Sequence, residues 1–264
     1  MNRRKFVKAS LITGTLAPMT SLSFASPADA SKTARQFYEL RTYNVRNGDQ
    51  EKVVTDYMQQ AAIPAYNRMG IKSVGFFKEM NGTGQARLYL LIPVDSIEQL
   101  VSLPSKLAAD KIYLKAGENY LNKPAADPAY TRMESSLLQA FTGMPKLIAP
   151  EKKSRIFELR RYESHSETAG ALKINMFNNM GEIDIFKRVG LTPVFFGEAI
   201  IGELRPNLTY MLTFDDMAEH DKNWKVFIAD ADWKRISSIP EYKDANIVSK
   251  ITRTFLEPLP FSQV

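Results

Sequence analysis

The chain has 264 residues, 44% of them hydrophobic and 24% charged, the composition of a soluble globular protein with room for two domains. It contains no cysteine, which excludes disulfides, thiol catalysis and thiolate metal sites. The formal net charge of +6 falls to +3 once Arg3, Arg4, Lys5, Lys8 and Asp29 are set aside, so nothing in the body argues for nucleic acid or an anionic lipid surface as partner.

Residues 1–30 read as a targeting segment and stand outside the fold. Asn2-Arg3-Arg4-Lys5-Phe6-Val7-Lys8 resembles the twin-arginine export signal. A mildly apolar stretch from Ala9 to Ala25 follows, and Ala28-Asp29-Ala30 offers an A-x-A cleavage site. The resemblance implies a periplasmic or secreted protein that meets the twin-arginine export machinery. No later segment is a long apolar run, so no stable membrane insertion is expected after the signal is removed.

The predicted elements then run in order. A strand covers Gln36 to Tyr43, and Asn47-Gly48-Asp49 makes a turn. Val54, Tyr57, Met58, Ala61 and Ala65 form one helical stripe, which Pro64 should kink and Gly70 should end. Strands at Ile71–Glu79 and Arg87–Val94 flank Asn81-Gly82, a hairpin signal. A helical stretch follows from Ser96 to Tyr120, interrupted near Pro104, and a strand runs from Glu134 to Phe141.

The order then repeats. Ile156-Phe-Glu-Leu-Arg-Arg-Tyr162 echoes Phe37-Tyr-Glu-Leu-Arg-Thr-Tyr43. Ser164 to Glu167 reads as a capping box before a helix with Leu172, Met176, Met180, Ile183 and Phe186 on one face. Gly190 closes that helix. Strands at Leu191–Ile201 and Leu208–Phe214, a helical region from Asp216 to about Ser238, and a strand over Ala245–Leu256 complete the copy. The domains are therefore expected at residues 31–142 and 155–264, with a Pro- and Gly-bearing linker at 143–154.

Twice β-α-β-β-α-β predicts an α+β fold of two tandem ferredoxin-like units. Each unit has helices on one face of an antiparallel sheet and an open face that must find a cover. Packing the two open faces together gives an intramolecular, pseudo-twofold α+β barrel.

The opening F/Y-E-L-R-x-Y, the helix ending in glycine, the V-x-F-F strand and Asp230-Ala-Asp-Trp233 resemble the NIPSNAP family, whose members fold as dimeric α+β barrels. The second repeat is the closer copy; in the first, Tyr113 stands where the Trp would be. The resemblance implies the barrel more firmly than an activity. Barrels of this kind serve monooxygenases, haem-handling enzymes, isomerases and ligand-binding domains.

The strand motif is the expected site. Alternation places Glu39, Arg41 and Tyr43 on one face, opposite Tyr38 and Leu40, and does the same for Glu158, Arg160 and Tyr162. The apolar pairs are expected under the helices and the charged trios on the barrel-facing side. There they form either a fixed ion-pair lattice or a pocket in which arginine grips a small organic molecule and tyrosine donates a hydrogen bond. Trp224 and Trp233, nine apart, fall on roughly opposite sides of an ideal helix; at least one is expected in the core, and Trp233 is the candidate for stacking on a ligand. Of the two histidines, His165 falls within a capping sequence, while His220 could be a general base or an axial haem ligand. The expected function is small-molecule binding, with a cofactor-free or haem-dependent oxygenase or isomerase using Arg160, Tyr162 and His220 as the alternative. No metal-ligand pattern is present. Further oligomerisation of the tandem chain stays open.

Overall fold

The structure is a computed structural model and describes residues 34–264 apart from Asn81, Thr83 and Gly84; the targeting-signal reading of residues 1–30 and the Asn81 half of the hairpin signal lie outside the described residues. The first half runs β1 (Phe37–Val45), α1 (Gly48–Tyr57), a π-helical turn (Met58–Ala62), α2 (Ile63–Arg68), β2 (Gly75–Glu79), β3 (Ala86–Val94), α3 (Ile97–Ala109), α4 (Lys111–Ala116), α5 (Glu118–Leu121) and β4 (Arg132–Ala140). The second half runs β5 (Ile156–Glu163), α6 (Glu167–Asn179), α7 (Glu182–Arg188), β6 (Thr192–Ile201), β7 (Asn207–Phe214), α8 (Met217–Ala229), α9 (Ala231–Ser237), a 3₁₀ turn (Pro240–Tyr242), α10 (Asp244–Ile247) and β8 (Lys250–Pro258). The strands close into one antiparallel barrel in the order β1-β3-β2-β8-β5-β7-β6-β4. The two seams between halves are β2 with β8 and β4 with β6.

The fold is thus the expected α+β barrel, with several local differences. The helix of residues 96–120 passes straight through Pro104 and breaks instead at Asp110, whose carboxylate caps a new helix by accepting from the Ile112 and Tyr113 amides. Asp230 does the same for Asp232 and Trp233. An aspartate that satisfies two orphan amides favours a restart more than one proline forbids continuation. Pro64 sits at the start of α2, just after the π turn, where the loss of its N–H is absorbed. Ser166, not Ser164, caps α6; the Ser164 hydroxyl donates to the Ile247 carbonyl instead. The final strand begins at Lys250, because residues 244–247 form α10.

The largest difference concerns which strand face is enclosed. Tyr38, Phe157 and Leu159 sit in the barrel interior with Phe77, Leu91, Val194, Phe195, Met211 and Leu256, an apolar cluster drawn from both halves. Tyr43 packs with Val54, Met58 and Tyr66 of the first helical layer, and Tyr162 with Met176, Phe177 and Phe186 of the second. The Glu-Arg-Tyr trios therefore lie beneath the helices, outside the barrel. A space lined by two sheets is the drier of the two, so it takes the apolar row, and the charged row goes where helix side chains supply partners. Among the described residues, no helix is long and apolar enough to cross a membrane, and no group of His, Asp and Glu is placed to hold a metal.

Candidate functional site

Each trio is brought together by its strand alone, as alternate residues of one extended segment. In the first repeat, Arg41 donates from Nε and Nη2 to Glu39 Oε1 at 2.9 and 2.7 Å, and from Nη1 to the Tyr43 hydroxyl at 3.1 Å. Ser135, across on β4, donates to the same Glu39 oxygen at 2.8 Å. Three of the five guanidinium N–H groups are thus used, and Glu39 Oε2 accepts no hydrogen bond among the described residues. Burial alone would weaken the Arg41 charge, but Tyr43 and Glu39 hold its pKa above the ordinary arginine value.

Above this pair lies a cavity of about 770 Å³, between the sheet and α1–α5. That is an ordinary size for a small-molecule site. Arg41 and Glu39 form its polar part, their side chains 19% and 12% exposed. Leu100, Leu103, Pro104, Leu107 and Leu137 make apolar walls, and the exposed Val101 and Ile201 stand at the rim. Tyr57 and Tyr66 add phenols. The Tyr57 hydroxyl shares a 2.8 Å hydrogen bond with Tyr113, whereas the Tyr66 hydroxyl has no protein partner among the described residues. Burial pushes both pKa values well above the ordinary phenol value, so both stay O–H donors.

The second repeat builds the same trio more tightly. Arg160 Nη1 donates to Glu158 Oε1 at 2.8 Å and Nη2 to the Tyr162 hydroxyl at 2.9 Å, with side chains 10% and 0% exposed for Arg160 and Glu158. The other Glu158 oxygen accepts from Trp224 Nε1 at 2.9 Å, and the Trp224 ring lies over the guanidinium, 4.2 Å from Arg160 Cζ. Burial would raise the Glu158 pKa, but His220 and Arg160 overcome it and hold the carboxyl below its ordinary value. The recess that remains here is about 410 Å³.

Trp233 lines the same recess as Arg160, Tyr162 and Trp224. It caps the side of Lys173, whose Nζ lies 5.3 Å from that ring and 5.4 Å from Tyr162. Lys173 is fully enclosed and pairs with the buried Glu182 at 3.4 Å and with Asp244 at 3.2 Å. Desolvation pushes Glu182 up to about 7. Sequence reading missed this buried ion group and the hydrogen bond from Trp224 to Glu158. Lys173 carried a signal, a charge flanked at helical spacing by the apolar residues Ala169, Met176 and Phe177.

His220 lies against Phe214 and Phe255, its Nδ1 2.9 Å from Asp221 and its Nε2 3.3 Å from Glu158, out of hydrogen-bond alignment. Burial would lower its pKa, but Glu158 and Asp221 raise it above the ordinary histidine value. Both ring nitrogens therefore face carboxylates, Asp221 and Glu158, which leaves neither directed at an open position and does not fit an axial haem ligand. His165 is exposed.

Two other recesses are less suited to chemistry. The barrel mouth, about 490 Å³, is lined by Thr42, Thr252 and Thr254 and by arginines already paired with neighbouring glutamates. The groove between linker and C-terminal segment, about 650 Å³, holds one half-buried charge, Arg155, which already donates to Thr213 and to the Glu151 carbonyl.

Residues 157–263 match the NIPSNAP family model. The match takes in the second trio, Trp224 and Trp233. A crystal structure of a candidate monooxygenase from Fusobacterium nucleatum is similar over 86% of this chain and 94% of its own, with 8% identity and a TM-score of 0.57. A candidate monooxygenase from Lactobacillus acidophilus is similar over 85% of this chain and 94% of its own, with 8% identity and a TM-score of 0.54. A NIPSNAP family protein from Agrobacterium tumefaciens is 18% identical over 41% of this chain and 96% of its own, with a TM-score of 0.36. No curated protein matches. At 8% identity the likeness concerns the fold, an α+β barrel, and says nothing of activity.

Proposed function

We propose that the protein binds one small organic molecule in the cavity of its first repeat, between sheet and helices, and that this first half is a diverged second copy of the NIPSNAP unit. The observation that carries the reading is the difference between the two sites. The arginine of the trio is stacked by Trp224 in one repeat, beside a recess of about 410 Å³, and carries no ring among the described residues in the other, where it opens on a cavity of about 770 Å³. A purely structural trio would be covered in both, since exposing a paired charge to an apolar-walled hole gains nothing for stability. The ligand places a polar group on Arg41 and Glu39 and an apolar body against Leu100, Leu103 and Leu107. The N-terminal motif supports a second element of the reading, export by the twin-arginine route to the periplasm or beyond.

Native mass spectrometry of the protein purified from its own host tests binding. One organic adduct per chain is expected, lost in Arg41→Met at unchanged circular dichroism. A wild-type protein that carries no adduct and takes up none from a lipid and metabolite extract of its host would refute the reading.

A further inference from the structure

The filled site describes the occupant of the open one. Ser96 caps α3 by accepting from the Gln99 amide, and Asp216 caps α8 by accepting from the Glu219 amide. Asp110 and Asp230 then cap the next helices, each pairing with an arginine, Arg68 and Arg188. No residue is inserted between the two pairs of caps, so Pro104 and Trp224 occupy the same position in the two repeats, as do Leu100 and His220.

At that position Trp224 does two things. Its ring stacks on the Arg160 guanidinium at 4.2 Å, and its Nε1–H donates to Glu158 Oε2 at 2.9 Å. In the first repeat Arg41 and Glu39 are the same two groups without the ring. Pro104 leaves space where the indole would be, and Glu39 Oε2 lacks the donor. Resting on the binding function proposed above, we propose that the cavity takes a flat aromatic molecule bearing a ring N–H or O–H, stacked on Arg41 with its donor on Glu39 Oε2. The chain would thus carry in Trp224 an internal copy of its own ligand.

The charges favour this class over an aromatic carboxylate. The Arg41 charge is already matched by Glu39, and an anionic ligand would meet the free Glu39 oxygen at close range. An aliphatic alcohol could use that oxygen but would forgo the guanidinium face, where a π system gains most. The Tyr66 hydroxyl remains as a second donor for an oxygen elsewhere on the ligand.

Three probes separate the terms: 2-naphthol, 2-methoxynaphthalene, which lacks the donor, and decahydro-2-naphthol, which lacks the flat ring. Calorimetric titration of the full chain is expected to show one equivalent of 2-naphthol, bound about tenfold tighter than either relative. Pro104→Trp should weaken 2-naphthol at least about tenfold by supplying the ring from the helix, and Trp224→Ala should admit a second equivalent. Should Pro104→Trp not fold, the Trp224→Ala stoichiometry decides the same point. Equal binding of the three probes would overturn the inference while leaving the binding function standing. Binding of none, or unchanged 2-naphthol affinity in a folded Pro104→Trp, would overturn the inference, with the adduct experiment above then judging the binding function alone.

Discussion

Replacing each arginine by methionine should cost very different amounts, although the two sit in the same motif on equivalent strands. Arg160→Met keeps most of the side-chain volume but leaves Glu158 with no exposure and without its guanidinium partner. Breaking a buried pair by removing one member costs about 3–5 kcal/mol, because the surviving charge is stranded. Trp224 Nε1 and the adjacent His220 remain to soften that, which argues for the lower end, about 3 kcal/mol. Arg41→Met strands Glu39 much less. Its free oxygen opens on a cavity that water can enter, and Ser135 still donates to the other. A loss of about 1 kcal/mol is expected there, in the range of one net hydrogen bond.

For a folded body of this size, 1 kcal/mol moves the melting temperature by about 2–4 °C. The expected drops are therefore about 6–12 °C for Arg160→Met and about 2–4 °C for Arg41→Met, measured by calorimetry at neutral pH. Urea midpoints with unchanged slopes would confirm that the same transition is being compared. Equal drops, or a larger one at Arg41, would refute the argument that one trio is a packed ion-pair lattice and the other an open site.

His220 gives a pH dependence. Its folded pKa lies above the unfolded value of about 6.5, so the stability it contributes is fully present below that value and fades as pH rises through the raised one. Glu182, also raised, adds a slope of the same sign between its ordinary value and about 7. The check is therefore the melting temperature above pH 7, where wild type should fall and His220→Gln should fall less; parallel curves would remove His220 from the account. The enclosed Lys173 gives another test: Lys173→Met should cost about 3–5 kcal/mol in chemical denaturation by leaving Glu182 unpaired. Adding Glu182→Leu should recover most of that loss, and a double variant no better than the single would show that the carboxylate was not the source of the damage.

The element order and the closed barrel were legible because hydrophobic period, glycine stops and strand motifs are local signals. The trio was legible too, since spacing of two along a strand places Glu39, Arg41 and Tyr43 side by side whatever surrounds them. Which way they point was not. Alternation separates two faces without saying which is enclosed more tightly, and here both faces are covered, one by the opposite sheet and one by helices. The choice is settled by volume and dryness over the whole barrel, where Tyr38, Phe77, Phe157 and Phe195 interlock in ring pairs at 4.9–5.0 Å. Trp224 was legible as a core or stacking residue, but its partner was not: Glu158 stands far off in sequence, and only the tertiary fold brings the indole N–H to that carboxylate.

The shared scaffold and the divergent sites fall on separate positions, which explains how one barrel holds an open and a closed copy of the same site. Gly70 and Gly190 turn the chain at φ of 84° and 83°, a left-handed conformation that favours glycine, and Arg68–Asp110 mirrors Arg188–Asp230. These contacts set where helix meets sheet and stay the same in both halves. The differences lie inward, where Val54 and Ala62 in one helical layer answer to the ion pair Lys173 and Glu182 in the other, and Leu100 and Pro104 answer to His220 and Trp224. A homodimer of single units must carry identical sites, so opening one opens both and leaves two partly covered ion pairs. Covalent linkage removes that constraint. The second repeat can fill its site with an indole, an imidazole and a buried ammonium, which tie α8 and α6 to the sheet, while the first, joined to it along the β2–β8 and β4–β6 seams, keeps its cavity.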